Sequence, residues 1–232
     1  MKKGAESRQS HDHTLRWRTS TAPHSYCARP RPSRTHLQGE AYPSSRTLLM
    51  PPTIHSLRAP MDDACARHIT RDGRSGEVCM VLVRPDGRIW TAAKTYYPNH
   101  ISRLLTGGIQ PAEDPASALL REIAEETSLV PTHTTPIAHI AYDTVVPFAT
   151  HIYVCTVSAT DPVVNDEAER IHHFAALHPG ELLQRAAELC QLPDAYHPDI
   201  GTNWRGWGSF RAVSHRVVAD WFRTHAAHSD ED

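Results

Sequence analysis

"GGIQPAEDPASALLREIAEETSLV" (Gly107–Val130) crowds Glu122, Glu125 and Glu126 into five residues, behind a Gly-Gly turn. Asp114 followed by Pro115 predicts a helix start, with a side-chain acceptor at the N-cap and a proline at the first helical position. At about 100° per residue, with Glu122 as zero, Glu126 falls at about +40° and Glu125 at about −60°. The three carboxylates therefore share one face. Ala116, Leu120, Ile123 and Thr127 fall between about 100° and 160°, an apolar stripe expected to pack on a sheet. Arg121 borders the acidic face beside Glu125.

A solvated acidic face is the ordinary meaning of such a run, but three features argue against it here. The glutamates lie toward the helix C-terminus, where the macrodipole favours cations. Positions 126, 129 and 130, four residues beyond them, hold Glu, Leu and Val rather than a lysine or arginine. Gly107 and Gly108 precede the helix, where the backbone can approach a ligand closely. A divalent cation would relieve the repulsion, and oxygen-only ligands select a hard ion such as Mg²⁺ or Mn²⁺.

The segments around this helix read mostly as strands. "EVCMVLV" (77–83) and "RIWTAAKTYY" (88–97) flank Asp86-Gly87, which predicts a β-hairpin. "ISRLL" (101–105), "PIAHIAYDTVV" (136–146) and "THIYVCTV" (150–157) are further strand candidates. "ERIHHFAAL" (169–177) leads into a helix at 180–191, and "SFRAVSHRVVADWF" (209–222) is a second amphipathic helix. "NWRGWGSF" (203–210), broken by glycines, is read as a joint between these two helices rather than as a cover on a cleft. The order of elements predicts a mixed α/β domain that begins near Ser75.

Composition narrows the function classes. Residues 1–60 hold ten Lys/Arg against three Asp/Glu, and the rest of the 232-residue chain holds 14 against 23. The near-neutral total thus divides into a basic N-terminal stretch and an acidic remainder, and the latter argues against a broad nucleic-acid surface. Residues 1–60, rich in Arg, Ser, Thr, His and Pro, are expected to form a disordered tail, leaving a domain over 61–228. Sequence upstream of a later start at Met50 or Met61, a transit segment, and a nucleic-acid-binding arm compete as readings of that tail. Five scattered cysteines without a C-x-x-C pair fit a reducing, cytoplasmic setting, with Cys79 and Cys155 as buried small hydrophobes. No apolar run reaches the roughly 18–20 residues needed to span a membrane.

Gly107, Glu113 and Arg121-Glu122-Ile123-Ala124-Glu125-Glu126-Thr127-Ser128-Leu129 resemble the Nudix box, G-x5-E-x7-R-E-U-x-E-E-x-G-U with U aliphatic. The six fixed positions before the final glycine match. At residue frequencies of about 6% each, the odds of that in such a chain are on the order of 10⁻⁵. Ser128 stands where the box has glycine. That position takes the left-handed conformation past a helix end, so serine there weakens a cap by about 1 kcal/mol and removes no ligand.

The resemblance implies a Nudix-like α/β/α sandwich with a mixed sheet. It also implies hydrolysis of a diphosphate linkage in a nucleoside diphosphate derivative, with Mg²⁺ or Mn²⁺ as cofactor. Carried over by position, Glu125 and Glu126 are the main metal ligands. Glu122 is a further ligand or a general base, Arg121 orients the glutamates, and Glu113 braces Arg121. A backbone carbonyl near Thr106 and Gly107 is a further candidate ligand. Gly107, Gly108, Arg103 and Lys94 are candidate substrate contacts. Glu167 or Glu169 is a candidate fourth carboxylate, weighed against a solvated acid. His172 and His173, adjacent in a strand, face opposite sides and are read as structural or surface residues. Trp90, Tyr97 and Tyr142 are read as core rather than as base-stacking residues.

The expected partner is a small nucleotide-derived substrate, with no membrane and no nucleic acid; a homodimer is compatible with this reading. A non-catalytic nucleotide-sensing module is the alternative. The intact acidic cluster argues against it.

Overall fold

The computed structural model describes residues 54–229. Its centre is the hairpin read from Asp86-Gly87. Strand β2 (Gly76–Val83) returns as β3 (Ile89–Lys94) across a turn in which Gly87 takes φ +77°. β4 (Arg103–Gly108) pairs antiparallel with both. A second ribbon, β5 (His133–Asp143) and β6 (Ala149–Thr156), joins with β6 parallel to β2, and β7 (Ile171–Leu177) closes the far edge against β3. With β1 (His55–Pro60) parallel to β5, the sheet has seven mixed strands in the order β1-β5-β6-β2-β4-β3-β7.

Alternation along β2 divides the core into two layers. Val78, Met80 and Leu82 face the long acidic helix and pack with Ala118, Leu119 and Ile123. Cys79 and Val81 face the opposite layer, formed by the three other helices. The result is an α/β/α sandwich. Cys79 and Cys155 are fully buried free thiols. No helix among the described residues is long and apolar enough to cross a membrane.

Order starts earlier than Ser75. His55–Pro60 form β1, so the expected tail over 1–60 overlaps the sheet by six residues, while residues 1–53 lie outside those described. Helix α1 (Asp63–Ile69) follows, capped by the Asp62 carboxylate on Cys65 N–H. The same carboxylate accepts from Thr202 Oγ1 (2.9 Å), and His68 Nε2 lies 3.2 Å from Asp199 O, fastening α1 to the far end of the chain.

The linker reading of 203–210 is also corrected. After α3 (Leu182–Cys190), helix α4 (Trp204–Ser229) begins within that segment. Its glycines are helical, and a side chain at Gly208 would overlap the Leu189 carbonyl. That glycine permits close approach of α3 and α4, where the sequence suggested a helix break.

Candidate functional site

Helix α2 (Pro115–Thr127) begins as its residues predict: Asp114 Oδ1 accepts from Ala116 and Ser117 N–H at 3.0 and 3.1 Å. It ends at Ser128, whose φ of 55° is left-handed, the conformation for which glycine would be cheaper. The buried face differs from the expected one. Ala118, Leu119, Glu122, Ile123, Glu126 and Thr127 are buried, whereas Leu120 is 53% exposed. Two of the three glutamates therefore point into the protein, and only Glu125 stays substantially open. An apolar-stripe argument fails here because charged residues occupy the inward arc and find counter-charges there.

Arg121 is the first of these counter-charges. Its Nε and Nη2 grip Glu113 at 2.8 Å each, Nη1 donates to Glu122 (2.9 Å) and Glu125 (3.0 Å), and Nη2 also donates to Gly108 O (2.8 Å). The hydrogen bonds from Arg121 hold the Glu113 carboxyl below its ordinary range. Glu113 thus braces Arg121 from outside while Arg121 fixes the inner glutamates. Gly107 lies directly against Glu122, and any Cβ there would overlap that side chain.

The structure brings Glu122, Glu126 and Glu169 together, with one carboxylate oxygen from each within 4.8 Å of the others. Of the two candidates for a fourth carboxylate, Glu169 lies in this trio and Glu167 lies outside it. Glu125, expected as a main ligand, is outside it too and is held by Arg121. The loop carrying Glu169 is anchored on the end of α2: Val163 N–H donates to Thr127 O (2.9 Å), and Asn165 and Asp166 N–H donate to Glu125 O (3.1 and 3.2 Å). These amides satisfy carbonyls that a helix C-terminus otherwise leaves unpaired.

Burial raises the Glu126 carboxyl to about 8, reinforced by Glu169 against the pull of Lys94. Burial likewise raises Glu122. Lys94, at the end of β3, places Nζ 2.7 Å from Glu169 and 3.8 Å from Glu126. Burial works to lower its pKa, but Glu126, Tyr97 and Glu169 outweigh that and hold the ammonium above its ordinary value.

These groups line a cleft of about 360 Å³. Its cationic side includes Arg103 and Arg211, each with its guanidinium carbon 5.9 Å from the Trp207 ring. Arg211 is paired with Glu77 (2.7 Å), and its Nε has no hydrogen-bond partner. Arg103 is only 5% exposed and bonds to Tyr97 Oη, Leu104 O and Thr106 Oγ1. Among the described residues no carboxylate lies within 4 Å of it. The four expected substrate contacts, Gly107, Gly108, Arg103 and Lys94, all line the cleft. Trp90 and Tyr142 are core, whereas Tyr97, also buried, reaches the lining. His172 and His173 lie outside it, clustered with His100.

Sequence reasoning missed the wall supplied by His68, Arg71, Asp72, Trp207 and Arg211. Its local signals were a seven-residue helix and a glycine-interrupted one, both weak.

The NUDIX domain family model matches residues 73–196, just over half of the chain. No curated protein matched. Among solved structures, the chain is similar to a C. elegans Ap4A hydrolase in a binary complex (15% identity, TM-score 0.43, covering 65% of this chain and 98% of that one). It is also similar to a MutT NUDIX hydrolase from Burkholderia pseudomallei (17%, 0.41, 63% and 95%). A third is the NUDIX domain of Shewanella oneidensis NrtR complexed with ADP ribose (16%, 0.39, 62% and 88%). With the box, its bracing arginine and the sandwich in place, the match over 73–196 makes this chain a member of the NUDIX domain family.

Proposed function

We propose that the protein is a pyrophosphohydrolase that uses Mg²⁺ or Mn²⁺ to cleave a diphosphate linkage in a nucleoside diphosphate derivative. The observation that carries this reading is the convergence of Glu122, Glu126 and Glu169 in a cleft that is also lined by Arg103, a guanidinium with no carboxylate within 4 Å among the described residues. The donor set suits a hard divalent ion: oxygen atoms only, from two separate elements, with two of the three residues buried. When bound, such an ion neutralises the diphosphate and acidifies water.

The chain's own residues do the positioning. Arg121 and Glu113 keep Glu122 and Glu125 from moving apart, and Gly107 leaves the room that the Glu122 side chain fills. Arg103, fixed by three hydrogen bonds from Nε and Nη1, has both Nη2 donors left to offer a phosphate oxygen. Tyr96, Tyr97 and Trp207 add aromatic surface to the lining.

The test is product release from a panel of nucleoside diphosphate derivatives with Mg²⁺, comparing the native chain with Glu126→Gln. A loss on the order of 10²–10³-fold is expected for removing a preorganised charged group. Equal release by both proteins would refute the assignment.

A further inference from the structure

Lys94 stands where a cation is called for. Its ammonium bonds to Glu169 and lies 3.8 Å from Glu126, and side-chain exposure is 17% for Lys94 and 3% for Glu126. Two of the three converging carboxylates thus already share one positive charge supplied from within the chain. The placement is built into the backbone. Strand β3 shifts register against β7 between Ala93 and Lys94, and Thr95 N–H donates to Arg170 O (2.8 Å), so the residues flanking Lys94 and Glu169 are joined. Arg170, left-handed at φ 55°, continues the anchor through its ion pair with Asp199 (3.2 Å).

An ammonium is a compact point charge on a flexible stem, which can leave a carboxylate without disturbing the fold. A divalent ion held by the same oxygens would lie within a few ångströms of it, and the two repel. Resting on the cation-site reading above, we propose that Lys94 is a tethered cation. Its one positive charge is shared by Glu126 and Glu169 in the cation-free protein, and it is expelled from them when a divalent ion loads. The chain thereby sets the affinity for its own cofactor, holding the acidic cluster assembled while keeping cation binding weaker than three carboxylates alone would give.

The experiment is Mn²⁺ binding to the full chain without substrate at pH 8.5, read by electron paramagnetic resonance of the free ion, for the native protein, Lys94→Met and Glu126→Gln. Lys94→Met is expected to bind Mn²⁺ on the order of ten- to a hundredfold tighter, the range of one hydrogen bond to a charged group. Unchanged or weaker binding by that variant overturns the inference. A second measurement needs no variant. Acetic anhydride labelling of Lys94, read by mass spectrometry, is expected to rise when Mn²⁺ is added to the native protein, and an unchanged or reduced yield overturns the proposal. The two levels separate cleanly. If Glu126→Gln binds Mn²⁺ as the native chain does, the cation-site reading itself fails. If Glu126→Gln loses binding while Lys94→Met matches the native chain, only the role of Lys94 falls.

Discussion

His215, fully buried on α4, is predicted to make stability fall as the pH drops. Its Nε2 accepts from Leu104 N–H (3.2 Å) and its Nδ1 donates to Arg211 O (3.0 Å), so the neutral imidazole ties α4 to β4, three residues before Gly107. Burial pushes its pKa down to about 3, and the guanidiniums of Arg103, Arg185 and Arg211, on β4, α3 and α4, oppose the charged form further. The unfolded chain takes up this proton near pH 6.5, the folded chain only near pH 3. Stability from this group is therefore complete above pH 6.5 and declines as the pH falls toward 3. The loss is roughly 2 kcal/mol by pH 5 and about 5 kcal/mol at the acid limit. Because the chain has 17 histidines, the effect is isolated as a difference between proteins. Urea unfolding of the native chain and His215→Gln at pH 8, 6.5 and 5 is the assay. At pH 8 the variant should be less stable by about 1–3 kcal/mol, having disturbed a buried amide's partner. By pH 5 that gap should shrink by roughly 2 kcal/mol, since only the native chain carries the penalty. A gap independent of pH would refute the reasoning.

Gly107→Ala should damage the site without damaging the fold. The backbone at Gly107 is not left-handed, yet the new methyl would displace Glu122. Misplacement of a reacting group by about 1 Å lowers rate on the order of 10²-fold, so kcat should drop while thermal denaturation shifts little. Ser128→Gly relieves a left-handed serine and should stabilise the chain by about 1 kcal/mol in urea with activity unchanged. A neutral or destabilising result there would mean that the serine side chain contributes something its backbone angles do not reveal.

What the sequence revealed depended on how local each signal was. The hairpin at Asp86-Gly87, the cap at Asp114 and the stop at Ser128 are each decided by residues a few positions apart, and each stands in the structure where the residues place it. β1 was not read, because "HSLRAP" offers only two alternating apolar positions, Leu57 and Ala59, before a proline, and its pairing partner β5 lies some 80 residues away. α1 is held by an Asp62 contact to Thr202, more remote still at 140 residues. The glycines of α4 misled because a helix-weakening residue and a close-packing residue look the same until the neighbouring helix is present. In the site, the box located Arg121 and its glutamates. Only the fold separated Glu169 from Glu167, since both sit in the same short turn and one points inward.

The buried glutamates explain why the site is assembled as it is. Carboxylates at a helix C-terminus are electrostatically misplaced, and burial adds a desolvation penalty that drives Glu126 up to about 8. A chain selected only for stability would have apolar residues on that arc, since replacing buried charges by well-packed hydrophobes is often neutral or favourable. Here the unfavourable end is used instead. The carbonyls left over at the end of α2 bind the amides of Val163, Asn165 and Asp166, and that anchor delivers Glu169 to Glu126. The arrangement concentrates more negative charge than Arg121 and Lys94 together neutralise. Folding alone gives no reason to do so. On the proposed reading a divalent cation supplies the missing positive charge, and the same deficit that weakens the cation-free protein becomes the affinity that would hold the ion.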